Sequence, residues 1–302
     1  MPSDVDVRAD VRFDVAVVGS ANLDLVANTP RLPMSGETVL GSHFAEHPGG
    51  KGLNQAVAAA RAGASVAFVA TVGDDDAGET LRTIAEREGI DVSRMAIARG
   101  VSTGRALITV DDLAENSIVV IPGANSLAGF TSLPAATVVL AQLEVPVATV
   151  VAAFEAARAA GSTTILNPAP VPADGLPHEL LALCDVIVPN EHEAALLGGV
   201  DRLVAAGVGA VVVTRGAGGV TVTVTDAGEP ASRSIAAFDV DPVDTTGAGD
   251  AFCGTLASQL AFGADLYEAA RTAAAAGAQA TTVAGAVPSL PFAAEIHRLA
   301  ST

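Results

Sequence analysis

Short apolar runs of strand length alternate with longer alanine-rich runs of helical period along most of this sequence, and that alternation narrows the fold to one class. "FDVAVVG" (13–19) reads as a buried strand ending in Gly19 and a polar "SANLD" turn. "GGKGLNQAVAAARAG" (49–63) reads as a glycine turn opening a helix, and "SVAFVATVG" (65–73) as a strand. "DAGETLRTIAEREG" (76–89) reads as an amphipathic helix closed by glycine. The rhythm resumes at "ATVVLAQLE" (136–144) and runs on through "VATVVAAFEAARAAG", "TTILNP", "LPHELLALC", "DVIVPN", "EHEAALLGG" and "AVVVTRG". Strands separated by helices are joined by crossovers rather than hairpins. The expectation is an α/β fold in three α/β/α layers, with a mostly parallel central sheet covered by helices on both faces.

Two stretches break the rhythm. Residues 37–49 and 103–123 alternate like strands with no helix between them, the second as a hairpin turning at "DDLAEN". They are read as a small β-sheet lid over one end of the main sheet, with extra edge strands of that sheet as the alternative. Residues 1–12 are polar and acidic, unlike a signal peptide, and read as a disordered tail preceding a domain over 13–302. Aromatic residues make up only 3% of the chain, so Ala, Val and Leu must fill the core. The formal charge of −18 argues against nucleic acid and anionic membrane as partners. Cys184 and Cys253 form no CxxC pair, which fits a reduced, cytoplasmic protein. His43, His47, His178, His192 and His297 show no metal-ligand spacing.

In an open parallel sheet ligands bind beyond the carboxyl ends of the strands, so the polar residues there carry the chemistry. In "DTTGAGD", Gly247, Ala248 and Gly249 open a helix, whose unpaired N–H groups make an anion cradle. Asp250 follows directly. A carboxylate beside a bound phosphate suits a base that takes a hydroxyl proton as that oxygen attacks phosphorus, although aspartate is equally a helix cap. "GGKGLNQA" (49–56) is a second glycine turn at a helix start and not a Walker loop. Its Lys51 is the only lysine in the chain, suited to anionic oxygens or a sugar hydroxyl, or else an exposed solubilising residue. Asn22 and Asp24 lie two apart, so in an extended segment both face one side and could bind adjacent hydroxyls; an Asx turn is the alternative. Asn190 and Glu193, three apart at a helix start, suit a hydrated Mg²⁺ near phosphates or a capping box.

Together, and in this order, these stretches resemble the ribokinase family of carbohydrate kinases. The resemblance runs from about Val15 to about Pro291 and includes "GSANLDL", "PMSGET", "STGRALI", "ENSIVVIPGAN", "QLEVP", "NPAP", "DVIVPNEHEA" and "DTTGAGDAF". It implies an ATP-dependent kinase for a sugar, with D-ribose phosphorylated at O5 to D-ribose 5-phosphate. Asp250 would be the base, with Gly247, Ala248 and Gly249 as the anion hole. Asn22, Asp24, Gly50, Lys51, Asn54 and Glu144 would bind the sugar. Asn190, Thr214, Gly216, Gly219 and Gly249 would lie along ATP, with Glu193 bound indirectly to Mg²⁺. Asp244, Thr246, Ala280, Val283, Gly285 and Ser289 would hold K⁺ or a similar monovalent cation. The family's lid strands imply a homodimer. Other expectations left open are a kinase for 2-deoxyribose, a nucleoside or another sugar, and a sugar-binding regulator without turnover. Gly218 stands where relatives often carry a charged residue. The last helices, "AAAAGAQATTVAGA", leave only small aliphatic groups to stack against adenine.

Overall fold

The computed structural model describes residues 12–113, 115–226 and 229–302. Apart from Arg12, the expected tail lies outside the described residues, as does Ala114 in the "DDLAEN" turn. The strands in chain order are β1 (Phe13–Val18), β2 (Asn22–Thr29), β3 (His43–Gly49), β4 (Val66–Gly73), β5 (Met95–Ala98), β6 (Gly104–Asp111) and β7 (Asn116–Ile121). There follow β8 (Ala136–Ala141), β9 (Thr163–Leu166), β10 (Val186–Ile187), β11 (Ala210–Thr214), β12 (Val220–Asp226) and β13 (Glu229–Ile235). The helices are α1 (Lys51–Arg61), α2 (Asp76–Arg87), α3 (Val147–Ala159), α4 (His178–Ala182) and α5 (Glu191–Leu196). They continue with α6 (Val200–Ala205), α7 (Ala248–Ala261), α8 (Leu266–Ala280), α9 (Ala286–Ser289) and α10 (Ala293–Ala300).

Among the described residues the main sheet has nine strands in the order β13-β12-β11-β10-β9-β8-β1-β4-β5. Every pairing from β11 to β5 is parallel. β12 and β13 extend one edge as an antiparallel hairpin, which the strand–helix alternation does not anticipate. Because side chains alternate across a strand, β1 serves two cores. Val15 and Val17 join the cluster under α1, α2, α7 and α8. Ala16 and Val18 join the one under α3, α4 and α6. That is the three-layer arrangement.

β2, β3, β6 and β7 form a separate four-stranded sheet in the order β3-β2-β6-β7. The alternative of extra edge strands is thereby overturned, since among the described residues none of the four pairs with the main sheet. Two other expectations need correction. The "SANLD" turn ends at Ala21, and Asn22 already begins β2, which pairs with β3 on one side and β6 on the other. The stretch 37–49 is strand only from His43 onward.

Scarce aromatics make for close helix packing. Ala269, Ala270, Ala273, Ala276 and Ala280 of α8 are fully buried. α7 meets α1 at Gly254, where a Cβ would stand 2.5 Å from the Gln55 carbonyl oxygen and 2.6 Å from the Ala58 methyl. Glycine at this crossing sets the distance between the two helices whose N-termini form the site.

Candidate active site

Asp250 is the third residue of α7 and is buried. It does not cap its own helix. Its Oδ2 accepts the Asn54 amide at 2.9 Å and its Oδ1 accepts the Gln55 amide at 2.9 Å, both from α1. The helix is instead capped by Gly247 at φ 80°, a left-handed conformation that glycine adopts without strain. A Cβ on Gly247 would meet Ala286 Cα at 3.2 Å, whereas one on Gly249 would meet nothing within 4 Å. The backbone of 247–249 is therefore packed on one side and open on the other. The first turn of a fourteen-residue helix directs its free N–H groups and partial positive charge toward that opening.

α1 begins beside it in the same way. Gly50 has φ 88° and comes so close to the chain at Ala21 and Asn22 that a Cβ would stand 2.8 Å from the Asn22 nitrogen. Lys51 is half-buried rather than a solubilising surface residue, and lines a cavity with Asp250. Burial works against its charge, but the carboxylates of Asp250, Glu144 and Glu193 outweigh burial and hold the ammonium above the usual lysine range. Glu144 Oε2 accepts the Lys51 backbone N–H at 3.0 Å and the Ser20 hydroxyl at 2.6 Å. Asn22 and Asp24 are not in an Asx turn. They lie two apart in β2, so both face one side. Asp24 packs against Gly49, where any Cβ would collide with its carboxylate. Burial first, then the nearby carboxylates of Glu144 and Asp250, push its carboxyl up to about 7.

The cavity of about 200 Å³ at Asp250 is lined by Lys51, Asn190, Glu193, Thr214, Gly247 and Gly249 among others. Asn190 and Glu193 do form a capping box, with Asn190 Oδ1 accepting the Glu193 N–H at 2.8 Å and Glu193 Oε2 accepting the Asn190 N–H at 2.9 Å. Glu193 Oε1 stays uncommitted to that box. A second cavity of about 360 Å³ shares Thr214 and Gly249 with the first and runs past Gly216 and Gly219. Its walls are mostly apolar, with the small Ala274, Gly277 and Ala278 joined by Val240, Phe238 and Phe252. Together the two make a polar end against Asp250 and an apolar end suited to a flat ring.

Behind Gly247, the segment 243–246 packs on the segment after α8. Val243 and Asp244 donate their N–H groups to the Thr281 carbonyl at 2.7 and 3.0 Å. Asp244 Oδ2 accepts the Gly285 N–H at 2.8 Å, while Oδ1 accepts from the Thr246 N–H and hydroxyl. Burial opposes ionisation of Asp244, but those N–H and hydroxyl donors hold its carboxyl below the usual range. Ala280 is buried at the end of α8, Val283 is exposed, and Ser289 lies 3.5 Å from where a Gly247 Cβ would be. The Asp244 carboxylate and the Thr246 hydroxyl are oxygen donors of the kind a hard cation takes. Among the described residues no group of three or more His, Cys, Asp or Glu could hold a metal ion.

Four buried amides at the centre have no role assigned to them by the sequence. Gln55, Gln142 and Asn167 link to Asp250, and Asn125 links to Asn22. Asparagine and glutamine carry no spacing signature, so only their burial singles them out. Cys253 also lines the cavity, but burial and the neighbouring Asp250 push its thiol well above the usual value, which disfavours the thiolate.

Residues 12–293 match the pattern of the pfkB family carbohydrate kinases. The chain belongs to that family. A ribokinase of Haemophilus influenzae is 39% identical, over 93% of this chain and 96% of its own length. A bifunctional ribokinase/ribose-5-phosphate isomerase A of Fructilactobacillus sanfranciscensis is also 39% identical, and this chain spans 54% of its length. A deoxyribokinase of Salmonella typhi is 34% identical over 92% of this chain. The ribokinase of Arabidopsis thaliana, solved with ribose and ATP, superposes with a TM-score of 0.84 at 30% identity, covering 96% of this chain and 99% of that one. As a carbohydrate kinase of this family, the protein has its Asp250 cavity where the helix starts of α1 and α7 converge.

Proposed function

We propose that this carbohydrate kinase transfers the γ-phosphoryl group of ATP to O5 of D-ribose, giving D-ribose 5-phosphate and ADP. The observation that carries the reading is the convergence on Asp250 of a buried amide pair, the sole lysine and an open helix N-terminus. In the proposed mechanism Asn22, Asp24, Gly50, Lys51, Asn54 and Glu144 bind the sugar hydroxyls and aim O5 at the cavity. Asp250 accepts the O5 proton as that oxygen attacks phosphorus. The N–H groups of Gly247, Ala248 and Gly249 take up charge that develops on the γ-phosphoryl oxygens, in a place where reorganisation is small. ATP lies along Asn190, Thr214, Gly216, Gly219 and Gly249, its ring in the apolar cavity. Mg²⁺ would sit near Glu193 through water and neutralise phosphate charge; the free Oε1 suits that contact. K⁺ or a similar cation would lie by Asp244 and Thr246 and the carbonyls around Ala280, Val283, Gly285 and Ser289, and would support the anion-hole loop from behind. The small sheet would act as a lid that excludes water.

β7 is exposed along its whole length, with Ile118, Val119, Val120 and Ile121 showing apolar surface. An apolar edge strand of that kind favours pairing with a second copy, which supports a homodimer through the lid. No described helix is long and apolar enough to cross a membrane. Both cysteines are buried and free, which supports the cytoplasm.

The test is ADP release with Mg-ATP and K⁺ across ribose, 2-deoxyribose, fructose, fructose 6-phosphate and adenosine. Ribose ahead by tenfold or more in kcat/KM, a gap of about 1.4 kcal/mol, sustains the reading. The Salmonella deoxyribokinase favours one rival, and 2-deoxyribose leading would select it. Ribose binding without turnover on any acceptor would select a sugar-binding regulator.

A further inference from the structure

The amides around Asp250 form one directed chain, and its direction can be traced from the backbone. Asn167 Nδ2 donates to the Val188 carbonyl at 3.0 Å, a group that only accepts. Asn167 must therefore turn Oδ1 toward Gln55, whose Nε2 donates to it at 3.1 Å. The same Nε2 supplies its other hydrogen to Asp250 Oδ1 at 2.9 Å. Gln55 Oε1 then faces Gln142 and accepts its Nε2 at 2.6 Å. This leaves Gln142 Oε1 as a buried acceptor without a partner among the described residues. Every amide orientation follows from one backbone carbonyl, and none can flip without placing two donors or two acceptors together.

We infer that Gln55 is a positioning residue for the base. It rests on the function proposed above. With Asn54 on Oδ2 and Gln55 on Oδ1, the plane of the Asp250 carboxylate is fixed by two donors from one helix. Gln55 is fully buried between the base and Asn167, so it touches neither cavity directly. The chain also joins the two halves of the site. Gln142 lies just before Glu144 on the sugar side, and Val188 lies two residues before Asn190 on the nucleotide side.

The experiment compares Gln55→Met, Gln55→Glu and Gln142→Met with the parent enzyme on its best sugar. It reads kcat, KM, calorimetric sugar Kd, melting temperature and the pH profile of kcat per folded molecule. Gln55→Met should lose at least tenfold in kcat, with sugar KM and Kd within threefold. Gln55→Glu is isosteric but removes the donor, so the introduced carboxyl and Asp250 would share a proton and the acid limb of the profile should move to higher pH. Gln142→Met removes the support of Gln55 together with the unpartnered oxygen, so it should melt within a few degrees of the parent and lose about threefold or more in kcat. It decides the matter if the Gln55 variants do not fold. A kcat per folded molecule within twofold of the parent and an unmoved pH profile would overturn the inference. A parent that turns over no sugar would instead sink the proposed reaction.

Discussion

The Asn125 amide nitrogen donates to Asn22 Oδ1 at 2.7 Å, and this bond decides which end of Asn22 is left for a ligand. Asn125 cannot flip, because it also accepts the Ala21 N–H at 3.0 Å and donates to the Ala21 carbonyl at 3.2 Å. Asn22 therefore offers its amino group as donor, two residues from the carboxylate of Asp24. A donor and an acceptor side by side suit a pair of neighbouring hydroxyls. Asn125→Asp keeps the contact to the Ala21 N–H but sets oxygen against oxygen at Asn22. Sugar Kd by calorimetry should rise at least tenfold, about 1.4 kcal/mol, and the preference for ribose over 2-deoxyribose should narrow.

Asp24 gives the site a pH dependence whose sign can be worked out. Its folded-state carboxyl is raised from 3.8 to about 7, so between those values the folded protein holds a proton that the unfolded chain has released. Stability therefore falls as pH rises through that window, and Asp24→Asn should gain in melting temperature relative to the parent between pH 5 and 8. Sugar hydroxyls that donate to the carboxylate favour its ionised form. Ribose affinity should strengthen from pH 6 to 8 with proton release, measured by calorimetry in buffers of different ionisation enthalpy. A pH-independent affinity would remove Asp24 from the sugar contacts.

Asp250→Asn tests the proposed role of Asp250 as base. The substitution keeps the shape but cannot accept from both Asn54 and Gln55, and it cannot take a proton. We expect kcat to fall by about 10²–10⁴ with sugar binding retained within a few fold, measured by coupled assay and calorimetry.

Gly254→Ala separates packing from chemistry. Its added methyl meets α1 backbone at 2.5–2.8 Å, a contact that only helix displacement relieves. Overpacking of this kind costs about 1–3 kcal/mol, to be read by chemical denaturation. Because α1 carries Asn54 and Gln55 while α7 carries Asp250, kcat should fall as well, although the substituted residue touches neither cavity.

Val119→Asp addresses assembly. Val119 is 56% exposed on β7, so a charge there costs the monomer little. Light scattering on the parent should give a dimer and on the variant a monomer; equal masses would remove the lid as the interface.

The sequence by itself determined the layered α/β architecture, because period-2 and period-3.6 patterns are local and crossovers leave little topological choice. It also marked both helix starts, since glycines that need positive φ, such as Gly50 and Gly247, must be written into the chain. It did not determine β12 and β13, whose alternating "VTVTVTD" pairs by hairpin at an edge rather than by crossover. Nor did it show whether Asp250 capped a helix or Lys51 faced solvent, because each residue type fits both roles. Tertiary structure decided those by setting α1 against α7 across Gly254. Only there do the neighbours Asn54 and Gln55 meet Asp250, Gln142 and Asn167, all far along the chain from them, in one directed set of hydrogen bonds. A hydrogen bond depends on position in space, and the sequence records only order.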